Sequence, residues 1–357
     1  MTVERLVEDL PGQRRPAWAV AGSRTVRYLI GLLAVALLTV EAILLARHLS
    51  DVGAVLAHVT WSLLLLAVAS EVCSLATFAA IYQRMLQAGG LRTRLRRVAG
   101  MVLAANALSA TLPAGSALAI GYSFQRLRRF GASGPLAGWV IVVAGLVSYA
   151  TFAVLGVAAA LLVGTGTAGT LAVAVAVGAV LATGLVVRAA TRRPDLLTAV
   201  GNWARRAVNR LRRREPAAGG ERVHRYVEQL VAIRPSTVDW LAAVGYAALN
   251  WAADVACLVL VCHAAGITDL SPRVILIAYA ADAAAGALQL LPGGLGTVDG
   301  ALILALINGG IPTASAAAAV LLYRLISFAL PAAVGWTIWF LARDRTRPLP
   351  ARAAHHL

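Results

Sequence analysis

The stretch Leu291-Pro292-Gly293-Gly294-Leu295-Gly296-Thr297-Val298-Asp299-Gly300 decides the fold. Pro292 and the glycines directly after it break any helix that enters this stretch. No solvating residue marks a surface loop there, and apolar segments lie on both sides. The pattern therefore predicts a helix break inside a membrane, with one carboxylate at Asp299.

The composition of the whole chain agrees with a membrane location. Its 357 residues are 60% hydrophobic and only 13% charged, and the mean hydropathy of +0.77 exceeds what a soluble domain needs to fill a core. Several apolar stretches are long enough for a helix to cross about 30 Å of hydrocarbon. They are residues 26–46, 61–82, 135–163, 169–190, 238–264 and 313–341. We therefore predict an all-α integral membrane protein with about six full transmembrane helices.

The positions of the basic residues along the chain indicate its membrane topology. The net charge is +16, and all 32 basic residues other than histidine are arginines. They lie in short segments beside apolar spans, which is typical of contact with anionic headgroups rather than with nucleic acid. Cys73, Cys257 and Cys262 fall inside predicted spans without His or Cys partners at ligand spacing, so we expect neither a metal nor a cofactor.

The charge distribution also predicts the domain organisation. Residues 1–25 form a cytoplasmic N-terminal arm, 26–341 a single transmembrane domain, and 342–357 a cytoplasmic basic tail. The basic loop 191–235 is cytoplasmic, and part of it is either an amphipathic helix on the inner leaflet or a solvated face. No cleavable signal peptide is visible. We expect a multi-pass protein of the cytoplasmic membrane with both termini inside.

A first interrupted segment lies at residues 98–130. Residues 98–112 are too few to cross, end at Pro113, and are followed by a segment that finishes with arginines. A full crossing would place those arginines outside, so we predict a re-entrant hairpin from the cytoplasm. Ser116 is expected to cap the returning half-helix, with Gly115 in the break and Asn106 facing its own hairpin.

The proline–glycine stretch at residues 291–300 interrupts a second segment, residues 273–311. A full crossing there would leave the arginines of the C-terminal tail outside, whereas a hairpin entering from the outer face returns them to the cytoplasm. With this topology, 29 of the 32 arginines are cytoplasmic or at the cytoplasmic boundary. Arg47 and Arg273 lie outside, and Arg324 lies within the last span.

Polar residues inside the spans are candidates for function. Asn250 and Asp254 are spaced i and i+4, so they share one face of a helix at mid-membrane depth. Glu71 also lies mid-span, and Asp282 lies in the ingoing half of the outer hairpin. Arg324 could bind a phosphate or hold Asp299 or Asp254. The alternative is that Arg324 and the aspartates only form a buried ion network between helices.

These residues carry a family resemblance. The motif at 291–299, followed by Leu321-Leu322-Tyr323-Arg324-Leu325 and later by Pro331 and Gly335, resembles the C-terminal signature of the lysylphosphatidylglycerol synthase transmembrane-region family. That family includes the flippase half of the bacterial multiple peptide resistance factor and many stand-alone membrane proteins. The resemblance extends over most of the chain, and it implies a protein that handles membrane lipids.

The chain departs from the family pattern at two places. Asp299 stands where the family motif usually has glutamate. In the first hairpin, residues 114–118 read Ala-Gly-Ser-Ala-Leu, where many members place arginine and glutamate. Only about 16 residues follow the last span, which leaves no room for the soluble aminoacyltransferase domain of two-part synthases. We therefore do not expect this chain to make lysyl lipid itself.

Two hairpins that enter from opposite faces are the pattern of inverted repeats around a central binding site. Each returning half-helix points its N-terminus, with free N–H groups, toward the midplane, where a lipid phosphate is the natural ligand. The predicted substrate-binding residues are Pro292, Gly293, Gly294, Gly296, Asp299, Arg324, Asn250, Asp254, Asp282, Asn106, Pro113, Gly115 and Ser116.

The expected function is a flippase-like lipid translocase that moves an anionic phospholipid or a polyprenyl-phosphate-linked lipid. The alternative is an accessory protein or enzyme of lipid-linked glycan and cell-envelope synthesis, with Asp254 and Asp299 as acid/base groups. No cluster of His, Cys or metal ligands supports such chemistry, so we do not expect an enzyme. Membrane lipids are the expected partners. A homo-oligomer or an envelope-synthesis partner, bound through the loop 191–235, is left open.

Overall fold

The computed structural model describes residues 58–112, 115–163, 177–178, 198–199, 202, 220–288, 294 and 296–344, and these residues contain helices but no strand. The helices are α1 (Trp61–Ala88), α2 (Leu95–Thr111), α3 (Gly115–Arg129), α4 (Gly134–Val163), α5 (Gly220–Val231), α6 (Thr237–Ala264), α7 (Pro272–Leu288), α8 (Thr297–Asn308), α9 (Thr313–Arg324) and α10 (Leu330–Asp344). A π-helical turn, Leu325–Ala329, joins α9 to α10. The all-α prediction is confirmed for this part of the chain.

Four helical segments are long and apolar enough to cross a membrane, by length and composition. They are Trp61–Ala88, Gly134–Val157, Thr237–Ala264 and Thr313–Leu341, and they match four of the six predicted spans. The other two predicted spans, 26–46 and 169–190, lie outside the described residues, as do the arm 1–25 and most of the basic loop. The outer faces carry exposed apolar side chains such as Leu65 and Leu241, which suit contact with acyl chains.

Helices α1 and α6 pair side by side in opposite directions. Arg84 and Asp239 form an ion pair of 2.7 Å at one end. Farther along, the Asn250 amide donates to the backbone carbonyl and the hydroxyl of Ser74, at 2.9 and 2.8 Å. The register continues with hydrogen bonds from Ser70 Oγ to the Ala253 carbonyl and from the Thr60 N–H to the Ala264 carbonyl. Along this series of contacts the residue numbers of α1 fall while those of α6 rise, so the two helices are antiparallel.

Helices α2 and α3 fold back on each other. A Cβ at Gly115 would overlap the carbonyls of Leu108 and Ser109, so only glycine allows this close approach. Ser116 Oγ lies 3.3 Å from Ser109 Oγ. Helix α3 begins at Gly115, so Ser116 lies in its first turn and does not cap it. The expected N-cap at Ser116 is therefore wrong, because this residue lies inside the helix and not directly before it.

Helices α7 and α8 form the second folded-back pair. A Cβ at Gly309, just after α8, would overlap the side chain of Val274 at the start of α7, so α8 returns to the level where α7 begins. This pair follows the C-terminal end of α6, whereas the α2–α3 pair follows the C-terminal end of α1. Since α1 and α6 are antiparallel, the two pairs start from opposite ends of the bundle.

The last long helix contacts both halves of the bundle. Its α9 part packs on α6 and α8, and its α10 part packs on α2. Gly335 lies against the Leu103 carbonyl, and Trp336 Nε1 donates to Thr111 Oγ1 at 3.1 Å. Gly100 faces Ile338, so α10 runs antiparallel to α2. The C-terminal end of α2, where the α2–α3 pair turns, is therefore directed toward the π-helical turn.

The contact between α10 and α2 can be tested with a single methyl group. Gly335→Ala would place a Cβ 2.8 Å from the Ala107 Cβ and closer still to the Leu103 carbonyl oxygen. We expect a loss of about 1–3 kcal/mol of stability, because the backbone must move. Gly145→Ala on α4 is the matched control, since a Cβ there meets nothing within 4 Å. Thermal unfolding in detergent measures both, and equal midpoints would contradict the packing.

Candidate functional site

Arg324 is the central residue of the candidate site. It is the last residue of α9 and lies partway along the final span. Its Nε is 2.7 Å from Asp299 Oδ1, and both side chains are 12% exposed. The Phe328 ring centre lies 4.5 Å from the guanidinium carbon. A carboxylate and an aromatic face therefore meet the guanidinium in an otherwise apolar helix.

A π-helical turn follows Arg324 directly and contains Phe328. The cause is visible in the sequence at Pro331, which has no N–H to donate and whose ring crowds the carbonyl four residues earlier. The hydrogen bonding shifts instead, and the Leu330 N–H donates to the Leu325 carbonyl. Such turns are common at functional positions within helices. The sequence analysis did not predict this turn, although Pro331 signals it.

Asp299 has a second role at the start of α8. Its Oδ2 accepts from the Gly296 N–H at 3.0 Å, so the carboxylate caps this helix. Gly296 has a φ of 72° and Gly294 a φ of 68°, values that glycine adopts without steric cost. Thr297 Oγ1 donates to the Gly294 carbonyl at 3.1 Å. The glycine stretch thus forms a tight entry to α8 and directs its N-terminus toward Arg324.

Asp254 is held by two tyrosines from different helices. Tyr279 on α7 donates its hydroxyl to Oδ2 at 2.6 Å, and Tyr323 on α9 donates to Oδ1 at 3.0 Å. Both tyrosines are buried, with 5% and 3% of their surface exposed. Helices α6, α7 and α9 therefore meet at this one carboxyl group. Neither tyrosine was predicted from the sequence to belong to the site, although Tyr323 adjoins Arg324.

Two further carboxyl groups extend the site. Asp282 on α7 lies within electrostatic reach of Asp254, Arg324 and Asp299. Glu71 on α1 is only 5% exposed and lies within electrostatic reach of Asp254. Among the described side chains, four carboxyl groups therefore lie in the neighbourhood of one guanidinium, and Asp299 contacts it directly. The formal charge of the site is therefore strongly negative when all of them are ionised.

Aromatic side chains support this site from the side of α4. The rings of Phe152 and Trp251 lie 4.4 Å apart, and those of Trp251 and Tyr279 lie 6.4 Å apart. Trp251 Nε1 donates to the Ser148 carbonyl at 3.0 Å. This packing fixes the position of Tyr279, and with it one of the hydroxyls that hold Asp254.

The structure brings some predicted residues together and separates others. Arg324 and Asp299 are in direct contact, and Asp282 lies within electrostatic range of this pair and of Asp254. Gly294 and Gly296 shape the start of α8 beside them. Asn250 is one turn from Asp254, but its amide is engaged with Ser74 between α6 and α1. Asn106, Gly115 and Ser116 belong to the α2–α3 pair, with Asn106 half-buried. Pro113, Pro292 and Gly293 lie outside the described residues.

The long apolar helices, the folded-back pairs and the buried charged group define a multi-pass helical membrane protein. The family model for the lysylphosphatidylglycerol synthase TM region matches residues 25–335. The chain therefore belongs to this family, which suggests a relation to lipid modification or translocation, and the predicted family is confirmed. No curated protein matches the chain.

The Arg324–Asp299 pair can be measured with a double-mutant cycle. Arg324→Met or Asp299→Asn alone leaves a buried group without its partner, so each is expected to lower stability by about 3–5 kcal/mol. The double variant is expected to lose less than the sum. The control cycle uses Arg84→Met and Asp239→Asn, whose side chains are 33% and 14% exposed and whose coupling should stay below about 1 kcal/mol. Equal coupling energies for the two cycles in thermal unfolding would contradict the assignment of Arg324 and Asp299 as a buried ion pair.

Proposed function

We propose that this chain is a lipid translocase that passes a phosphate-bearing headgroup through the middle of the cytoplasmic membrane. The observation that carries the proposal is the contact between Arg324 and Asp299. It places an arginine from the middle of a spanning helix beside the N-terminus of a short helix that starts inside the bundle. Charged residues at such depth are costly and mark pathways for polar substrates.

The lengths of the folded-back helices support a re-entrant arrangement. Helices α2, α3, α7 and α8 have 17, 15, 17 and 12 residues. At about 1.5 Å per residue, each is too short to cross roughly 30 Å of hydrocarbon. The order of long helix, folded-back pair and long helix occurs from α1 to α4 and again, in the opposite direction, from α6 to α10. Inverted repeats of this type support alternating access to a central site.

Headgroup binding follows from the chemistry of the site. A lipid phosphate that reaches the start of α8 competes with Asp299 for Arg324 and for the N–H groups of the first turn. Both are strong phosphate ligands, because one is a cation with forked donors and the other an oriented backbone dipole. The acyl or polyprenyl chains stay outside, against exposed apolar side chains such as Leu65 and Leu241.

An anionic phospholipid and a polyprenyl-phosphate-linked lipid both supply the phosphate that this step requires. We propose transport and not catalysis. Both oxygens of Asp254 accept from tyrosines, and Asp299 contacts Arg324 and caps α8. These contacts favour electrostatic and positioning roles over acid/base chemistry. Membrane lipids are the proposed partners, and no cofactor enters the proposed step.

The proposed topology places both termini and the basic loop inside. An impermeant maleimide applied to intact cells is expected to label Thr268→Cys, between α6 and α7. Ala218→Cys in the loop and Ala354→Cys in the tail should react only after permeabilisation, because the arginines around them hold these segments in the cytoplasm. Labelling of Ala354→Cys in intact cells would contradict the topology.

The role of Arg324 can be tested in liposomes that contain the purified protein and a headgroup-labelled phospholipid. Arg324→Gln is expected to lower the transfer rate at least about tenfold, which corresponds to one charge-assisted hydrogen bond of about 1.4 kcal/mol. Asp299→Glu should keep transfer, since a carboxylate is retained. The matched control is Arg96→Gln, at an exposed position in the first turn of α2. An unchanged rate in folded Arg324→Gln would refute the proposed role.

A further inference from the structure

The buried carboxyl pair Glu71 and Asp254 takes no part in the headgroup contact described above. We propose that this pair is a proton-binding site and that its proton is exchanged during lipid movement. The coupling to lipid rests on the proposed function, whereas the proton site itself rests on the burial of Glu71 and the hydrogen bonds of Asp254. The two residues are brought together by the α1–α6 register, in which Ser70 Oγ donates to the Ala253 carbonyl.

The contacts of Asp254 define one half of the pair. Each of its oxygens accepts a tyrosine hydroxyl, Oδ2 from Tyr279 at 2.6 Å and Oδ1 from Tyr323 at 3.0 Å. Two donors aimed at one carboxyl stabilise its negative charge, because an ionised carboxylate only accepts. Asp254 is therefore built to act as the acceptor of the pair.

Glu71 is the other half and has the opposite character. It is 5% exposed, and Oε2 has no hydrogen-bond partner among the residues that the structure describes. An ionised Glu71 would be an unmatched acceptor that faces the negative charge of Asp254. A proton on Glu71 removes its charge, and with it the repulsion and most of the cost of burying this carboxyl group. The burial of Glu71 beside Asp254 therefore favours the protonated form of Glu71.

The surrounding groups connect this pair to Arg324. The titratable groups within electrostatic range of Glu71 are Asp254 and Cys257 from α6, Tyr279 from α7 and Tyr323 from α9. Beyond Asp254, electrostatic contact continues through Asp282 to Arg324 and Asp299. A bound proton lowers the negative charge that opposes a phosphate at Arg324. Its release restores that charge and favours departure of the phosphate, with one proton gained and one lost per cycle.

A proton fits the pair better than a metal ion does. A hard metal cation requires several oxygen ligands at once, whereas both oxygens of Asp254 already accept from hydroxyls. A proton requires one lone pair, which Glu71 Oε2 supplies. Sodium and an amine-bearing headgroup are the competing cations, and the experiments below separate them from the proton.

Infrared difference spectroscopy of the full chain in lipid nanodiscs tests the proton site directly. Between acidic and alkaline buffer, the wild type is expected to show the carbonyl stretch of a buried carboxylic acid. Glu71→Gln should lose that band and Glu71→Asp should shift it. Glu228→Gln, at an exposed position of the surface helix α5, should leave it unchanged. A spectrum in which neither Glu71 variant alters the band overturns the proposal, as does a band removed by sodium or by an amine lipid at constant pH.

Liposomes with a pH difference of about one unit test the coupling. Exchange of one proton per lipid predicts about tenfold lipid asymmetry at steady state, since one pH unit corresponds to a tenfold ratio. Glu71→Gln should abolish this asymmetry and Glu228→Gln should retain it. If the wild type moves lipid without producing an asymmetry, the proposed coupling to protons is wrong, but the proposed translocase function is retained. If the carbonyl band of Glu71 is present but no lipid moves, the proposed translocase function is wrong, but the proposed proton site is retained.

Discussion

The antiparallel pairing of α1 and α6 is the contact on which the rest of this fold depends. Ion pairing at one end and hydrogen bonding along the middle set its direction and register. Between membrane helices, where lipid is as apolar as leucine, such polar contacts contribute about 0.6 kcal/mol each and select one alignment. Each helix is followed by a folded-back pair, so the direction of α1 against α6 also determines that the two pairs start from opposite ends.

The second constraint is the cost of charge in an apolar interior. The guanidinium of Arg324 in the final helix is stabilised by Asp299 and by the ring of Phe328. The same carboxylate caps α8, so one side chain fixes both the arginine and the start of a broken helix. Asp254 shows the same principle, since tyrosines from two helices satisfy it. The π-helical turn directly after Arg324 is an irregularity of a kind that is common at functional positions within helices.

Much of this arrangement was predictable from composition and local pattern. Apolar length identified the described spans, and the proline–glycine stretch identified the start of α8 close to where it begins. The hydrogen-bond partners of the polar side chains were harder to predict from the sequence. Asn250 was grouped with Asp254 because both share a helical face, yet its amide bonds to Ser74, 176 residues away in the chain. Ser116 was predicted to precede the helix but is its second residue, because a capping pattern does not record how far the helix extends before it. Tyr279 and Tyr323 carry no sequence signal for a shared carboxyl partner.

The sequence by itself determined that this is a helical membrane protein of its family, which segments are long enough to span, and where two of them are interrupted. These properties follow from hydropathy, helix length and the conformations of proline and glycine, which act within a few turns of chain. Only the tertiary structure decided that Glu71, Asp254, Asp282, Asp299 and Arg324 lie close enough together to interact electrostatically. The reason is geometric, because the crossing points of α1, α6, α7, α8 and α9 select which polar residues meet, and no local pattern encodes those crossings.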